Sequence, residues 1–297
     1  MRGANRKFPS KSREPAGVTG DPGRRRADYT RIGRRPSVAA QLRLGLLLVA
    51  LPVVLYCISL FMPHGLTTMD ATARLQPPST VHPFGTDNFG RDIFVRAMGG
   101  FPVTLGIAGA TIFIGGLVGL LAGTVAGYYG GIVDYWIGRL SDVLLSIPTI
   151  LMGLLFVTIS GGGIRQVIAA LGLMFIPSFT KVVRAAVMEQ RGKDNIQRQR
   201  LMGSSNPRIL VVHIWPRIAP QLLAASAVGF ANAILAESSL SFLGLGVPAS
   251  AISWGRMLKD AQGFLFAAPW YALAPGLLIV ILVLGIFFIG RALKGIR

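Results

Sequence analysis

Residues 44–62 read LGLLLVALPVVLYCISLFM, without one charged side chain. A helix that crosses the hydrocarbon core of a bilayer needs about 20 mostly apolar residues, and this stretch meets that length. A basic lead precedes it and the small residues Ala71-Thr72-Ala73 follow, as in a cleaved leader. The run is nevertheless longer than a signal-peptide core, and further apolar runs come after it, so it predicts a retained first helix. Tyr56 before Cys57 argues against lipoprotein cleavage. Cys57 is the single cysteine, which excludes a disulfide scaffold.

The rest of the chain agrees. Of 297 residues 52% are hydrophobic and 14% charged, and the mean hydropathy is +0.57. A soluble domain carries about a quarter charged residues, so a soluble enzyme and a disordered chain are both excluded. Uncharged runs recur at 97–133, at 143–164 with an approach from Asp134, at 218–236 and within 261–290. A shorter run at 166–180 continues past Lys181 and Arg184 to Met188. These runs predict an all-α polytopic membrane protein with six transmembrane helices and both ends on one side.

The net charge of +18 suggests nucleic acid until its location is read. Of the 30 Lys and Arg, 12 precede Leu44 and eight lie from Lys181 to Arg217. With the N-terminus cytoplasmic, the inside segments hold 24 basic residues and the outside segments six. The positive-inside rule explains that split, with both termini cytoplasmic, and DNA does not. Residues 1–43, rich in Arg, Pro, Gly and Ser, are expected to form a disordered cytoplasmic tail that touches anionic lipid. Residues 44–297 are expected to form the transmembrane domain, with a cytoplasmic loop at 188–217.

Gly115, Gly119, Gly123, Gly127 and Gly131 recur every four residues. On a helix they make one slowly drifting ridge that lets a neighbouring backbone approach closely. Packing inside the subunit is the expectation, with a dimer seam as the alternative. No Walker-A pattern, paired-histidine or Cys-x-x-Cys spacing, or serine elbow occurs, and His64, His82 and His213 stand apart. Catalysis, ATP binding, a cofactor or a metal in this chain is therefore not expected.

The loop 188–217 carries more information. A helix through residues 198–202 is expected to stop at Gly203, in a left-handed position just past its end. Asn206 as N-cap and Pro207 in the first turn restart a helix, which runs through Val212 to a break at Trp215-Pro216. This compact, basic helix–turn–helix suits docking of a cytoplasmic partner. A solvated loop, basic only because of topology, fits the spacing as well.

Gly203 followed by His213-Ile214-Trp215-Pro216 resembles the second half of the EAA loop of ABC-importer permeases. His82-Pro83-Phe84-Gly85-Thr86-Asp87-Asn88-Phe89-Gly90-Arg91-Asp92 is similar to the outer-loop signature of the peptide-importer subfamily. So are Gly127-Tyr128-Tyr129-Gly130-Gly131 with Asp134, Arg139, Asp142 and Pro148, the stretch Glu237 to Gly246, and Ser253-Trp254-Gly255. The resemblance runs from about Leu44 to the end and points to the second permease subunit of dipeptide/oligopeptide importers.

It implies an ABC-importer permease fold in the cytoplasmic membrane of a prokaryote. It also implies a second homologous permease as partner, two ATP-binding subunits that hold ATP and Mg and receive the loop helix, and an extracellular peptide-binding protein. The family usually has Glu-Ala-Ala where this chain has Gln197-Arg198-Gln199. That change adds bulk and positive charge at the surface expected to enter the ATPase groove. An importer for nickel or glutathione is an alternative, as is a decoupled scaffold that transports nothing.

Six further residues carry expectations from spacing and residue type. Glu237 lies roughly 30 Å along a helix from Arg217, near the outer surface, where a hydrated acid can meet a substrate amine. Arg139 and Asp142, three apart, face each other on one helix, as a structural pair or part of an inner gate. Pro102, Pro148 and Pro177 kink or start spans.

Overall fold

The computed structural model describes residues 37–62 and 65–295. The expectations for residues 1–36 and His64 lie outside it. In chain order the helices are α1 Val38–Ser59, α2 Ile93–Tyr129, α3 Gly131–Ser146, α4 Thr149–Ser160, α5 Ile164–Arg191, α6 Asp194–Leu201, α7 Asn206–Phe242, α8 Trp254–Ala261 and α9 Pro269–Lys294. The long helix α1 takes in residues 38–43, which the sequence had placed in the tail. Among the described residues the only extended pairing is a bridge between Thr86 and Asp92.

Helices α1, α2, α5, α7 and α9 are each long and apolar enough to cross a bilayer. Helices α3 and α4 qualify for a sixth span only as a pair, and they meet at an angle of 86°. Pro148 is the cause. Its ring pushes the preceding residue out of the helical region, and Ile147 is extended, at φ −99° and ψ 129°. Pro102 and Pro177 instead lie inside α2 and α5.

Lipid tails are as apolar as leucine, so helices in a bilayer associate through close packing rather than through escape from water. The glycine ridge of α2 does this against α5. A β-carbon on Gly115 would lie 2.8 Å from Phe175 Cβ, on Gly123 2.6 Å from the Thr180 carbonyl oxygen, and on Gly127 2.7 Å from that of Arg184. The ridge is therefore an internal seam as far as Gly127, and it is not left free for a second copy. Gly131 has left the ridge: its φ is +60° and nothing lies within 4 Å of its β-position. A second close crossing joins α1 to α9, where a β-carbon on Gly45 would lie 2.8 Å from the Gly285 carbonyl oxygen.

Along its 37 residues α2 spans roughly 55 Å, so its two ends lie at opposite ends of the bundle. At its start Ile93, Phe94 and Met98 pack with Trp254, Met257 and Tyr271, and Trp254 Nε1 donates to the Ala97 carbonyl at 2.6 Å. At its finish Tyr128 packs with Val183, Val187, Ile196, Ile209, Ile214 and Ile218.

Candidate functional site

The α6–α7 turn is built as a rigid projection. Asp194 in the first turn of α6 suits the helix dipole, and the fully buried Ile196 anchors the helix to the bundle. Gly203 has φ +79°. Its amide donates to the Arg200 carbonyl and that of Ser204 to the Gln199 carbonyl, both at 3.0 Å, the pair of bonds that closes a helix through a left-handed residue. Gln197 and Arg198 are exposed and Gln199 is half-buried, its side-chain oxygen accepting from Ser204 Oγ at 3.0 Å. At the tip Leu201 and Met202 are 89% and 78% exposed. The capped turn thus holds two apolar side chains outward at its tip.

The restart of the chain departs from the spacing argument. Ser205, not Asn206, occupies the cap position of α7, with Pro207 in the first turn. Asn206 Oδ1 instead accepts from Tyr128 OH at 2.7 Å, which ties the turn to the end of α2. The helix does not break at Trp215-Pro216. A π-helical stretch, Ile209–Ile214, precedes the proline, and the Trp215 amide reaches back to the Leu210 carbonyl. This wider turn absorbs the clash that a proline ring makes with the carbonyl four residues earlier. The chain therefore runs on to Phe242, with Pro216 exposed and His213 half-buried. Trp215 Nε1 donates to Thr124 Oγ1 at 3.2 Å, a second tie to α2.

Near that end, Asp142 does not bond to Arg139. It pairs with Lys181 of α5 at 2.7 Å. Asp134 pairs with Arg184 through two contacts, one of them Nη2 to Oδ2 at 2.6 Å. Arg139 faces the same cavity of about 510 Å³ as these four residues. Both ion pairs cross from α3 to α5. Lys181 and Arg184 are the functional candidates the sequence reading missed. In the sequence they interrupt an apolar run, and charges in such a run are themselves a signal.

Glu237 is fully buried, not hydrated as its depth suggested. Its carboxylate accepts from Ser241 Oγ at 2.7 Å, and Ser238 Oγ stands 3.4 Å away. Ser241 Oγ in turn accepts the Val247 amide at 3.1 Å, so the acid organises the turn after α7.

The signature loop closes on itself at the start of α2. Gly85 and Gly90 take φ of +74° and +72°. Asp87, fully buried, accepts the amides of Phe89 and Arg91 and pairs with Arg91 Nε at 2.6 Å and Arg96 Nε at 3.6 Å. Asp92 caps α2 by accepting the Val95 amide at 3.0 Å, and its other oxygen meets His82 Nδ1 at 2.8 Å. Thr86 Oγ1 accepts the Gln76 amide at 2.8 Å and donates to the Ala73 carbonyl. Asp70 in the adjoining turn is held below the usual carboxylate range by the hydroxyl and amide of Thr72. These residues make a structural clasp. Among the described residues no three His, Cys, Asp or Glu stand together as a metal site.

Comparison with known proteins agrees with this architecture. Residues 119–295 match the family described as binding-protein-dependent transport system inner membrane component. The chain is 38% identical over 226 residues to a dipeptide transport system permease protein, DppC, of Alkalihalophilus pseudofirmus, covering 74% of this chain and 73% of that one. It is 32% identical to the nickel transport system permease protein NikC of Escherichia coli K12, over 85% of this chain and 91% of that one. Among solved structures, the MetNI methionine ABC transporter in an inward-facing conformation aligns with a TM-score of 0.57 at 21% identity. That alignment covers 69% of this chain and 96% of the other.

Proposed function

The chain belongs to the family of binding-protein-dependent transport system inner membrane components, and from that premise we propose that it is the second permease of an ATP-driven importer of di- and oligopeptides. It is a multi-pass membrane subunit that works with an ATPase, another permease and a binding protein. In the proposed assembly the partners are one homologous permease, two ATP-binding subunits that carry ATP and Mg, and an extracellular peptide-binding protein. Both termini and the Gly203 turn face the cytoplasm, because that orientation puts the basic residues inside.

The observation that carries this reading is the outward-held tip of α6. Gln197, Arg198, Leu201 and Met202 form an apolar and cationic surface on a turn fastened to α2 by Asn206–Tyr128 and Trp215–Thr124. A push on that tip from an ATPase is delivered to the long helices without a flexible link. The altered triplet Gln197-Arg198-Gln199 calls for an ATPase groove with acidic character. Peptide cargo is supported by the dipeptide permease relative, and nickel, carried by the second relative, is the other reading.

The test is reconstitution of the complex in proteoliposomes with its binding protein. Vanadate-sensitive ATPase activity that a dipeptide stimulates, together with uptake of labelled dipeptide, is expected. Stimulation by nickel alone moves the second reading to the front. A partner permease without an ATPase in the purified complex favours the decoupled scaffold.

A further inference from the structure

On the side of the bundle where α5, α7 and the end of α9 meet, two adjoining cavities of about 350 and 220 Å³ share Val182, Ala225 and Lys294. Together they make a groove that runs from Gln221 toward Asn232 along one face of α7. Residues 221, 225, 228 and 232 fall on a single stripe at steps of four, three and four, as the helical repeat requires. The facing wall of α5 offers Ser178. The remaining lining is apolar or small, apart from Lys294 in the last turn of α9.

Depth makes the polar members informative. Ser178 stands halfway along α5, and Asn232 lies ten residues before the end of α7, roughly 15 Å from it. Both are exposed on the subunit, and neither side chain has a hydrogen bond among the described residues. An unpartnered amide or hydroxyl facing hydrocarbon is costly, so polar groups at this depth face water, a polar ligand or the partner permease rather than lipid. Lys294 makes no ion pair among the described residues either. A largely apolar wall with one cation and three hydrogen-bonding side chains, Gln221, Ser178 and Asn232, has the usual composition of a small-ligand site.

We propose that this groove is a peptide subsite on the import path, in which Lys294 takes the terminal carboxylate and Asn232 and Ser178 hydrogen-bond the amide groups. The assignment rests on the peptide reading above and names the residues that would hold the cargo. A fixed ammonium opposes a free divalent cation in the same groove, so the site also separates the two cargo readings.

The experiment uses the reconstituted complex with Cys57→Ser as parent. Ser178→Cys and Asn232→Cys are expected to react with a water-soluble thiosulfonate reagent and to be protected by a dipeptide. Lys294→Met is expected to raise the KM for a free-acid dipeptide about tenfold, the loss of one charge-assisted hydrogen bond, and to leave its C-terminal amide unchanged. Lys294→Arg is expected to keep the acid preference. The binding protein is common to every arm, so its own selectivity cancels between variant and parent. A transporting complex in which neither cysteine reacts, or in which Lys294→Met weakens acid and amide equally, overturns the subsite. A parent that moves no peptide overturns the peptide reading itself.

Discussion

Gly119 of α2 faces Phe179 of α5 so closely that a β-carbon on the glycine would sit 2.5 Å from the phenylalanine Cβ. Three neighbours on the ridge, Gly115, Gly123 and Gly127, meet α5 in the same way. The contact is backbone against side-chain root, so no rotamer change relieves it. Gly119→Val is therefore expected to cost at least 1–3 kcal/mol, as overpacking typically does, and to reduce the amount of folded chain in the membrane. Gly116→Ala, where the nearest Phe179 ring atom is 4.0 Å away, is the matched control. Fluorescence-detected gel filtration of the two variants should separate them; equal recovery would remove the seam's importance.

Charge across helices gives a second test. Asp134 and Arg184 lie 50 residues apart and share two contacts, with Asp134 the more enclosed partner. Lys181 and Asp142 are both about half exposed. Exposed pairs contribute on the order of 0–1 kcal/mol, so Asp142→Asn should barely move the melting temperature. Asp134→Asn should lower it measurably, and the exchange Asp134→Arg with Arg184→Asp should recover part of the loss. If the exchange is no better than either single change, the pair does not hold α3 to α5.

Much of this was legible from residue types alone, and the reasons are physical. Uncharged length fixes spans, a period of four fixes the ridge, and Pro148 places the break, because each depends on the local chain. What escaped reading was the choice of partner. Arg139 and Asp142 have suitable helical spacing, yet Asp142 finds Lys181 because α5 packs beside α3. Asn206 has the composition of a cap, yet Tyr128 takes its side chain from across the bundle. Glu237 was placed by counting along a helix. Counting gives depth but not the direction a side chain faces, and the serines that enclose it are the next residue, Ser238, and Ser241 one turn on.

Enclosure makes Glu237 a test of structure against cargo binding. Glu237→Gln keeps an oxygen for the Ser241 hydroxyl, so peptide KM should stay within about twofold of the parent, well under the tenfold change that goes with 1.4 kcal/mol. Glu237→Ala leaves that hydroxyl without its acceptor and opens a cavity, costs that together reach about 2–5 kcal/mol. It should lower the yield of folded complex while the surviving fraction keeps its KM. A raised KM in Glu237→Gln with normal yield would instead place the acid in contact with substrate.

Gly203 separates backbone strain from bulk. At φ +79° with nothing within 4 Å of its β-position, the space accepts a side chain and only the backbone objects. A left-handed residue costs an L-amino acid about 1–2 kcal/mol, less for asparagine and more for a β-branched residue. The expected order of peptide uptake is therefore glycine, then Gly203→Asn, then Gly203→Ala, then Gly203→Val. If the turn transmits the ATPase stroke, Gly203→Val should retain basal ATP hydrolysis and lose its stimulation by peptide, because the α6 tip no longer holds its angle to α7. Parallel loss of basal hydrolysis would mean failed assembly rather than failed coupling. Normal stimulation with normal uptake would show that the stroke enters the bundle elsewhere.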